Sequence, residues 1–276
     1  MQSVRAIIAL SMLLFCVMES IAQRERVLPR RGSSSLEGTS FAIGFMQNEV
    51  LDIGADSDLS LFISSESAAT VVIDFPNGAQ RIETLVAHSV RVVPIDRYYE
   101  VNPSEIPQRK AIYIKSDFPV IVYAMSTKQR TTDTYTAIPI PHLGADYYSV
   151  NRPNDYYLPS GTDSLGDLTP RGGQFMVVAT ENGTQVTVTP ACDTEGGGRR
   201  GVPFTVTINK GFCLLVRCAP GRLGSNDLTG SRIQTTKPVA LLSGHVRSSI
   251  PTLQQASKDH LIEMLPSVDK WGTEYV

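Results

Sequence analysis

The stretch Phe175-Met176-Val177-Val178-Ala179-Thr180-Glu181-Asn182-Gly183-Thr184-Gln185-Val186-Thr187-Val188-Thr189-Pro190 decides the fold class. A continuous apolar run and an alternating Val/Thr run flank Asn182-Gly183. Alternation with period two marks a strand with one buried face, and Asn-Gly readily takes the positive φ of a tight turn. The stretch therefore predicts two antiparallel strands joined by a hairpin at Asn182-Gly183. Asn209-Lys210-Gly211 predicts a second hairpin on the same grounds. Outward from there the same kind of run recurs: "FAIGFMQ" from Phe41, "LSLFIS" from Leu59, "TVVIDFP" from Thr70, "SVRVVPI" from Ser89, "AIYIKSDFPVIVYAMS" from Ala111, "FTVTINKGFCLLVRC" from Phe204 and "SRIQTTKPVALLSGHV" from Ser231. Helical spacing of apolar residues is scarce. The chain is predicted to be all-β and antiparallel.

The two halves resemble each other. Ile114 to Val122 lines up with Ile233 to Leu241, and each stretch is followed by an apolar-Pro step, Ile138-Pro139 or Leu265-Pro266. A Gly-x-acidic-Tyr strand comes next, Gly144 to Tyr147 in one half and Gly272 to Tyr275 in the other; upstream, "FAIGFMQN" from Phe41 matches "FMVVATEN" from Phe175. Self-similarity of this kind reads as two copies of a unit of roughly 120 residues. Short strands between polar turns favour sandwich-like modules, with propeller-like blades as the alternative. Pro119 and Pro238 cannot donate a ladder hydrogen bond and are expected at a strand start or an edge. The predicted organisation is a signal peptide at 1–22, a polar basic leader at 23–40, a first β unit at 41–150, a loop-rich seam at 151–173 and a second β unit at 174–276. The last unit is read as truncated, because "KWGTEYV" ends on a strand-type run without a turn or cap.

Arg5, the apolar run Ala6 to Val17 and the small residues Ser20 and Ala22 form a secretory signal, with cleavage expected after Ala22. The run is shorter than the roughly 20 residues that span a bilayer, and no later stretch is long and apolar enough to do so. The formal net charge of −2 and a pI near 6.1 argue against a nucleic-acid partner. The basic stretch "RERVLPRRGSSS" from Arg24 reads as a solvated leader or a processing site, or alternatively as a patch for acidic glycans.

Cys16 leaves with the signal, so Cys192, Cys213 and Cys218 remain, an odd number. Cys213 and Cys218 point to opposite faces of an extended strand, roughly 16 Å apart, and cannot bridge each other without a bend. Cys192 is expected to pair with one of them; the other thiol is either buried or available to a covalent partner. Asn182-Gly183-Thr184 is the glycosylation sequon, since Asn102-Pro103-Ser104 is barred by its proline. Asp52, Asp56 and Asp58 form an acidic loop that reads as a solvated turn or a weak calcium site; it lacks the Glu and the following helix of an EF-hand. "EGGGRR" at Glu195 to Arg200 reads as a flexible loop tip, not a phosphate cradle. His88, His142, His245 and His260 lack zinc-site spacing. Asp259 and His260 are adjacent on a strand and face opposite ways, so they do not form a triad pair, and His260 reads as structural.

Three stretches together carry a family likeness: "QFMVVATENGTQVTVTP" from Gln174, "DLTGSRIQTTKPVALLSGHV" from Asp227 and "DHLIEMLPSVDKWGTEYV" from Asp259, with "YTAIPIPHLGADYYSV" from Tyr135 matching in the first half. The repeated unit resembles the N-terminal domain of the IgGFc-binding protein family of secreted, mucus- and surface-associated proteins. That resemblance implies a non-catalytic extracellular recognition, adhesion or mucus-structural protein. Its implied partners are extracellular glycoproteins, mucins or microbial surfaces, with no cofactor, and Fc binding is not implied. The resemblance also implies cysteines in the loop before Asp259, which "HVRSSIPTLQQASKDHL" lacks. The alternatives are the ectodomain of an anchored receptor, or an extracellular glycan hydrolase with two carboxylates across a cleft.

Overall fold

Apolar residues at alternate positions, as in Ala69, Val71 and Ile73, bury one side of a strand and leave the other side wetter. The computed structural model describes residues 36–49, 58–156, 170–253 and 257–272. Its first strands are β1 (Gly38–Ile43), β2 (Phe45–Met46), β3 (Asp58–Ser65), β4 (Ala69–Asp74), β5 (Gln80–Leu85), β6 (Ser89–Ile95), β7 (Glu100–Val101), β8 (Ile112–Lys128) and β9 (Thr131–Thr136). They are followed by β10 (Gly144–Tyr148), β11 (Asp155–Tyr156), β12 (Pro170–Arg171), β13 (Gly173–Ala179), β14 (Thr184–Thr189), β15 (Phe204–Ile208), β16 (Cys213–Arg217), β17 (Arg232–Ser248) and β18 (Asp259–Leu265). All belong to the unit Leu36–Val276; the other unit, Met1–Ser35, lies outside the described residues and takes with it the predicted signal peptide and most of the leader.

The chain is all-β, and its two main sheets are antiparallel and curl into half-barrels. In the first sheet the order is β5-β4-β8-β3-β6, with β1 and β9 also on β8; in the second it is β15-β14-β17-β13-β16, with β10 and β18 also on β17. The two plans superimpose strand for strand. Each is organised by one 17-residue strand, β8 or β17. Strand β8 pairs with β4 and β1 over its first half and with β3 and β9 over its second.

This topology changes several sequence expectations. Neither predicted hairpin forms: β13 pairs with β16 and β17, while β14 pairs with β15 and β17, so Asn182-Gly183 and Asn209-Gly211 are corners between two parts of one sheet. Gly183 has φ +66 but Asn182 is not in the left-handed region, whereas the tight two-residue hairpin needs both there. The two corners bond to each other instead: Gly183 N–H donates to Asn209 Oδ1 at 2.8 Å and Lys210 N–H to Asn182 Oδ1 at 3.2 Å. Pro119 and Pro238 sit inside long strands, not at starts or edges. Strand β4 leaves β8 at Ser116 and β3 joins at Ile121, so no ladder bond on that side is asked of Pro119. Strand β10, read on sequence as the end of the first half, hydrogen-bonds in the second sheet, and β1 already begins at Gly38. The counterpart of Phe41 is therefore Tyr147, not Phe175: Phe41 pairs with Ile114 and Tyr147 with Ile233.

One apolar cluster fills the first half-barrel, from Phe41 and Leu61 to Tyr135, and is closed by the back of the second sheet through Met176, Val178, Cys213, Leu215, Ala240, Leu242, Ile262 and Met264. A second cluster, including Phe175, Val177, Val186, Ile233 and Leu241, lies on the opposite face of that second sheet. Polar contacts pin the junction. The Tyr113 hydroxyl donates to the Ala179 carbonyl and accepts from Gly211 N–H at 2.8 Å. Gly44 is pressed against the second sheet so closely that a Cβ there would meet Met176 Cε at 2.5 Å. Glu49 accepts from Arg171 Nη2 at 2.6 Å and from Arg247 Nη1 at 2.9 Å, with Glu49 and Arg171 both 1% exposed.

Candidate functional site

At one end of the second sheet the loops after β14 and β16 flank an open pocket of about 540 Å³ lined by Ala191, Cys192, Asp193, Arg200, Asn226, Asp227 and Thr229. Its polar groups are held in place by the loop backbones. Asp193 accepts from Arg200 N–H at 2.8 Å and from Arg199 Nη1 at 3.1 Å, and its own carbonyl takes Ala219 N–H at 2.9 Å. Asp227 accepts from both the Thr229 N–H at 2.9 Å and the Thr229 hydroxyl at 2.7 Å. Asn226, with φ +50, donates to the Ala219 carbonyl at 2.9 Å. Gly197 and Gly201, with φ of +104 and +72, supply the left-handed turns that fold "EGGGRR" back, so this segment is a shaped rim and not a free tip. The Arg200 N–H, followed by the Arg199 guanidinium, holds the Asp193 carboxyl below its ordinary range. The cavity thus offers fixed acceptors and a guanidinium, and Asp193 is a poor proton donor. Of the lining residues, Cys192 and Arg200 were singled out on sequence, but as a disulfide candidate and part of a loop tip; Asp193, Asn226 and Thr229 were not, because the two loops meet only in the fold.

Cys192, Cys213 and Cys218 are all free and buried, so the expected pairing of Cys192 is not formed in this structure. Cys213, on β16, belongs to the first cluster, while Cys218 just past the end of that strand and Cys192 in the loop after β14 belong to the second. Cys218 Sγ donates to Asn154 Oδ1 at 2.8 Å. Burial, then the carboxylates of Asp227 and Asp193, pushes the Cys192 thiol up to about 11; burial pushes Cys213 and Cys218 up to about 12. Asn182 stands exposed on its corner. Asp58 is exposed at the start of β3, while Asp52 and Asp56 lie outside the described residues. His260 is fully buried, with Nδ1 at 2.9 Å from the His245 carbonyl and 3.1 Å from that of Val246. Asp259 faces the other way and accepts from Thr132 N–H at 3.1 Å. Among the described residues no group of three or more His, Cys, Asp or Glu is placed to hold a metal ion, and no helix is long and apolar enough to cross a membrane.

The family model described as IgGFc binding protein matches residues 133–276. The chain belongs to the IgGFc-binding protein family. The human IgGFc-binding protein is 29% identical over 264 residues, which is 90% of this chain and 4% of that protein's length. No solved structure matches the chain. The family stretches fall on the architecture in an orderly way: Gln174 to Pro190 is β13, a corner and β14; Asp227 to Val246 is the cavity rim and most of β17; Asp259 onward is β18 and the turn after it. Ahead of Asp259 the backbone is held by Arg152, whose Nη2 donates to the carbonyls of Ser249 at 2.9 Å and Pro251 at 3.1 Å.

Proposed function

We propose that this chain is a secreted, non-catalytic extracellular recognition module, built of two related β units, whose cavity between Asp193 and Thr229 binds polar groups of a glycan or glycoprotein. The observation that carries the reading is the cavity's lining: fixed carboxylate acceptors at Asp193 and Asp227 beside Arg200, a donor–acceptor mixture suited to sugar hydroxyls. Family membership and the export signal support an extracellular setting. Two carboxylates in one pocket also suit the glycan hydrolase alternative, in which Asp193, held below its ordinary range, would be the ionised partner and a second carboxyl the acid. Asn182 is the proposed glycosylation site and Ala22 the residue before cleavage; a weak calcium site at Asp52, Asp56 and Asp58, a receptor-ectodomain context and a mucus-structural role belong to the same proposal.

The test is a glycan, mucin and immunoglobulin-Fc array probed with the secreted chain, with and without calcium, beside Asp227→Asn and Arg200→Ala. Binding that drops about tenfold or more in both variants supports the cavity as the site. Release of reducing ends from any bound glycan would overturn the non-catalytic reading, and absence of binding to every glycan, glycoprotein and microbial surface would overturn recognition.

A further inference from the structure

Each of the two loops that flank the pocket carries a cysteine near its start: Cys192 shortly after β14 ends at Thr189, and Cys218 directly after β16 ends at Arg217. Both sulfurs belong to the second apolar cluster. Cys213 belongs to the first, where a Cβ on Gly44 would stand 3.4 Å from its Sγ. The second sheet therefore lies between Cys213 and Cys192.

The backbones around Cys192 and Cys218 are joined. Thr194 pairs with Cys218 in an antiparallel bridge, with Ala219 N–H donating to the Asp193 carbonyl and Glu195 N–H to the Arg217 carbonyl, each at 2.9 Å. Cys192, two residues before Thr194, is thereby the diagonal neighbour of Cys218. Diagonal neighbours in a regular ladder stand roughly 7–8 Å apart, and a disulfide spans about 4.4–6.8 Å between Cα atoms. Ala191 and Cys192 lie in a bend outside any ladder, and there the backbone is free to take up the difference. The sulfurs already sense each other: after burial, a charge on Cys192 is what raises the Cys218 thiol most.

We infer that Cys192 and Cys218 form a disulfide in the exported chain, and that this bond staples the two loops of the pocket together near their bases. The thiols described above are the reduced form. The oxidant is a small-molecule or protein disulfide of the secretory compartment, and the inference rests on the extracellular reading for that source alone. One cysteine thiolate attacks the oxidant, breaking its S–S bond, forming a mixed disulfide and releasing one thiolate. The other cysteine thiolate then attacks the protein sulfur of the mixed disulfide, forming the Sγ–Sγ bond and releasing the second thiolate. Two protein thiols are oxidised, one disulfide is reduced to two thiols, and the two protons pass to those thiols. The exchange belongs to folding, before the second cluster closes over the sulfurs, because burial keeps both thiols protonated afterwards. The bond from Cys218 Sγ to Asn154 Oδ1 is given up, while Asn154 Nδ2 keeps its bond of 2.9 Å to the Ala219 carbonyl. Cys213 stays a buried thiol.

The test refolds the mature chain, from Gln23, out of the reduced unfolded state in a buffer of reduced and oxidised glutathione. Free thiols are then blocked with N-ethylmaleimide in denaturant and the peptides mapped by mass spectrometry, beside chain secreted from cultured animal cells. The expected map holds a Cys192–Cys218 linked pair, lighter by two hydrogens than the reduced peptides, and Cys213 blocked. Cys213→Ser is expected to keep the link, and Cys192→Ser and Cys218→Ser to lose it without a new link to Cys213. Hydrogen exchange at Arg200, Ala219 and Thr229 is expected to be at least about tenfold slower in the oxidised than in the reduced folded chain. A link in the refolded chain but not in chain recovered from cells supports the bond and counts against export. A folded wild-type chain with all three thiols blocked after oxidative refolding, or a link through Cys213, overturns the disulfide. Equal exchange in the two forms overturns the stapling.

Discussion

Glu49, Arg171 and Arg247 show how much depends on single buried charges. Glu49 comes from the first half of the chain and its two guanidinium partners from the second, in a place where Glu49 and Arg171 are almost fully excluded from water. Removing one partner from a buried charge group of this kind typically costs about 3–5 kcal/mol. Glu49→Gln is therefore expected to lower the urea midpoint strongly, by roughly 3 kcal/mol in equilibrium unfolding. The buried histidines give a pH dependence of definite sign. Burial pulls the His245 pKa down to about 3 from 6.5, and His260 is lowered for the same reason. The unfolded chain then takes up protons before the folded one, so stability is full above about 6.5 and falls as the pH drops toward 3. Denaturation midpoints at pH 7, 5.5 and 4.5 check this; His245→Gln, if folded, should flatten the slope. The sequence singled out His260 as structural from its position beside Asp259, but no local signal revealed that His245 lies against it.

Strands β8 and β17 organise everything around them, and their prolines show what a strand can tolerate. Pro119 lies where one ladder has ended and the next has not begun, and its carbonyl accepts from Ser65 Oγ at 2.8 Å. Pro119→Ala is expected to change stability by less than about 1 kcal/mol. Val122→Pro, three residues along in the paired part of β8, is expected to cost about 3 kcal/mol or more. Thermal midpoints of the two variants make the comparison. The misreading of Asn182-Gly183 has a related cause. A turn pair reports only that the backbone can reverse or bend locally, whereas the partner of each flanking strand is chosen by β17, some fifty residues away. Strand existence was legible in the alternation of Val186 and Val188; strand pairing was not.

The first apolar cluster draws side chains from both sheets, so the first half-barrel is not closed without the second sheet. A single cooperative unfolding transition is expected, with fluorescence and circular dichroism midpoints coinciding. The thiols report the same event. Buried, protonated Cys192, Cys213 and Cys218 should react slowly with a thiol reagent in the reduced native chain and rapidly once it unfolds.

The amino-acid order alone settled that the chain is β, that it is made of two similar halves and that it resembles the IgGFc-binding protein family, because period, turn chemistry and repetition are local properties. It even carried a hint of the burial contrast: "FMVVA" from Phe175 is continuously apolar and β13 is buried on both faces, whereas Ser60 and Ser64 interrupt the apolar run of β3. Which face meets which partner was decided in three dimensions. Phe62 and Met176 occupy the same place in the same plan, one partly exposed and one sealed in the core, because only the second sheet has a half-barrel to close. The cavity at Asp193, Arg200 and Asp227 has the same origin, since its lining comes from two loops that only the sheet brings together.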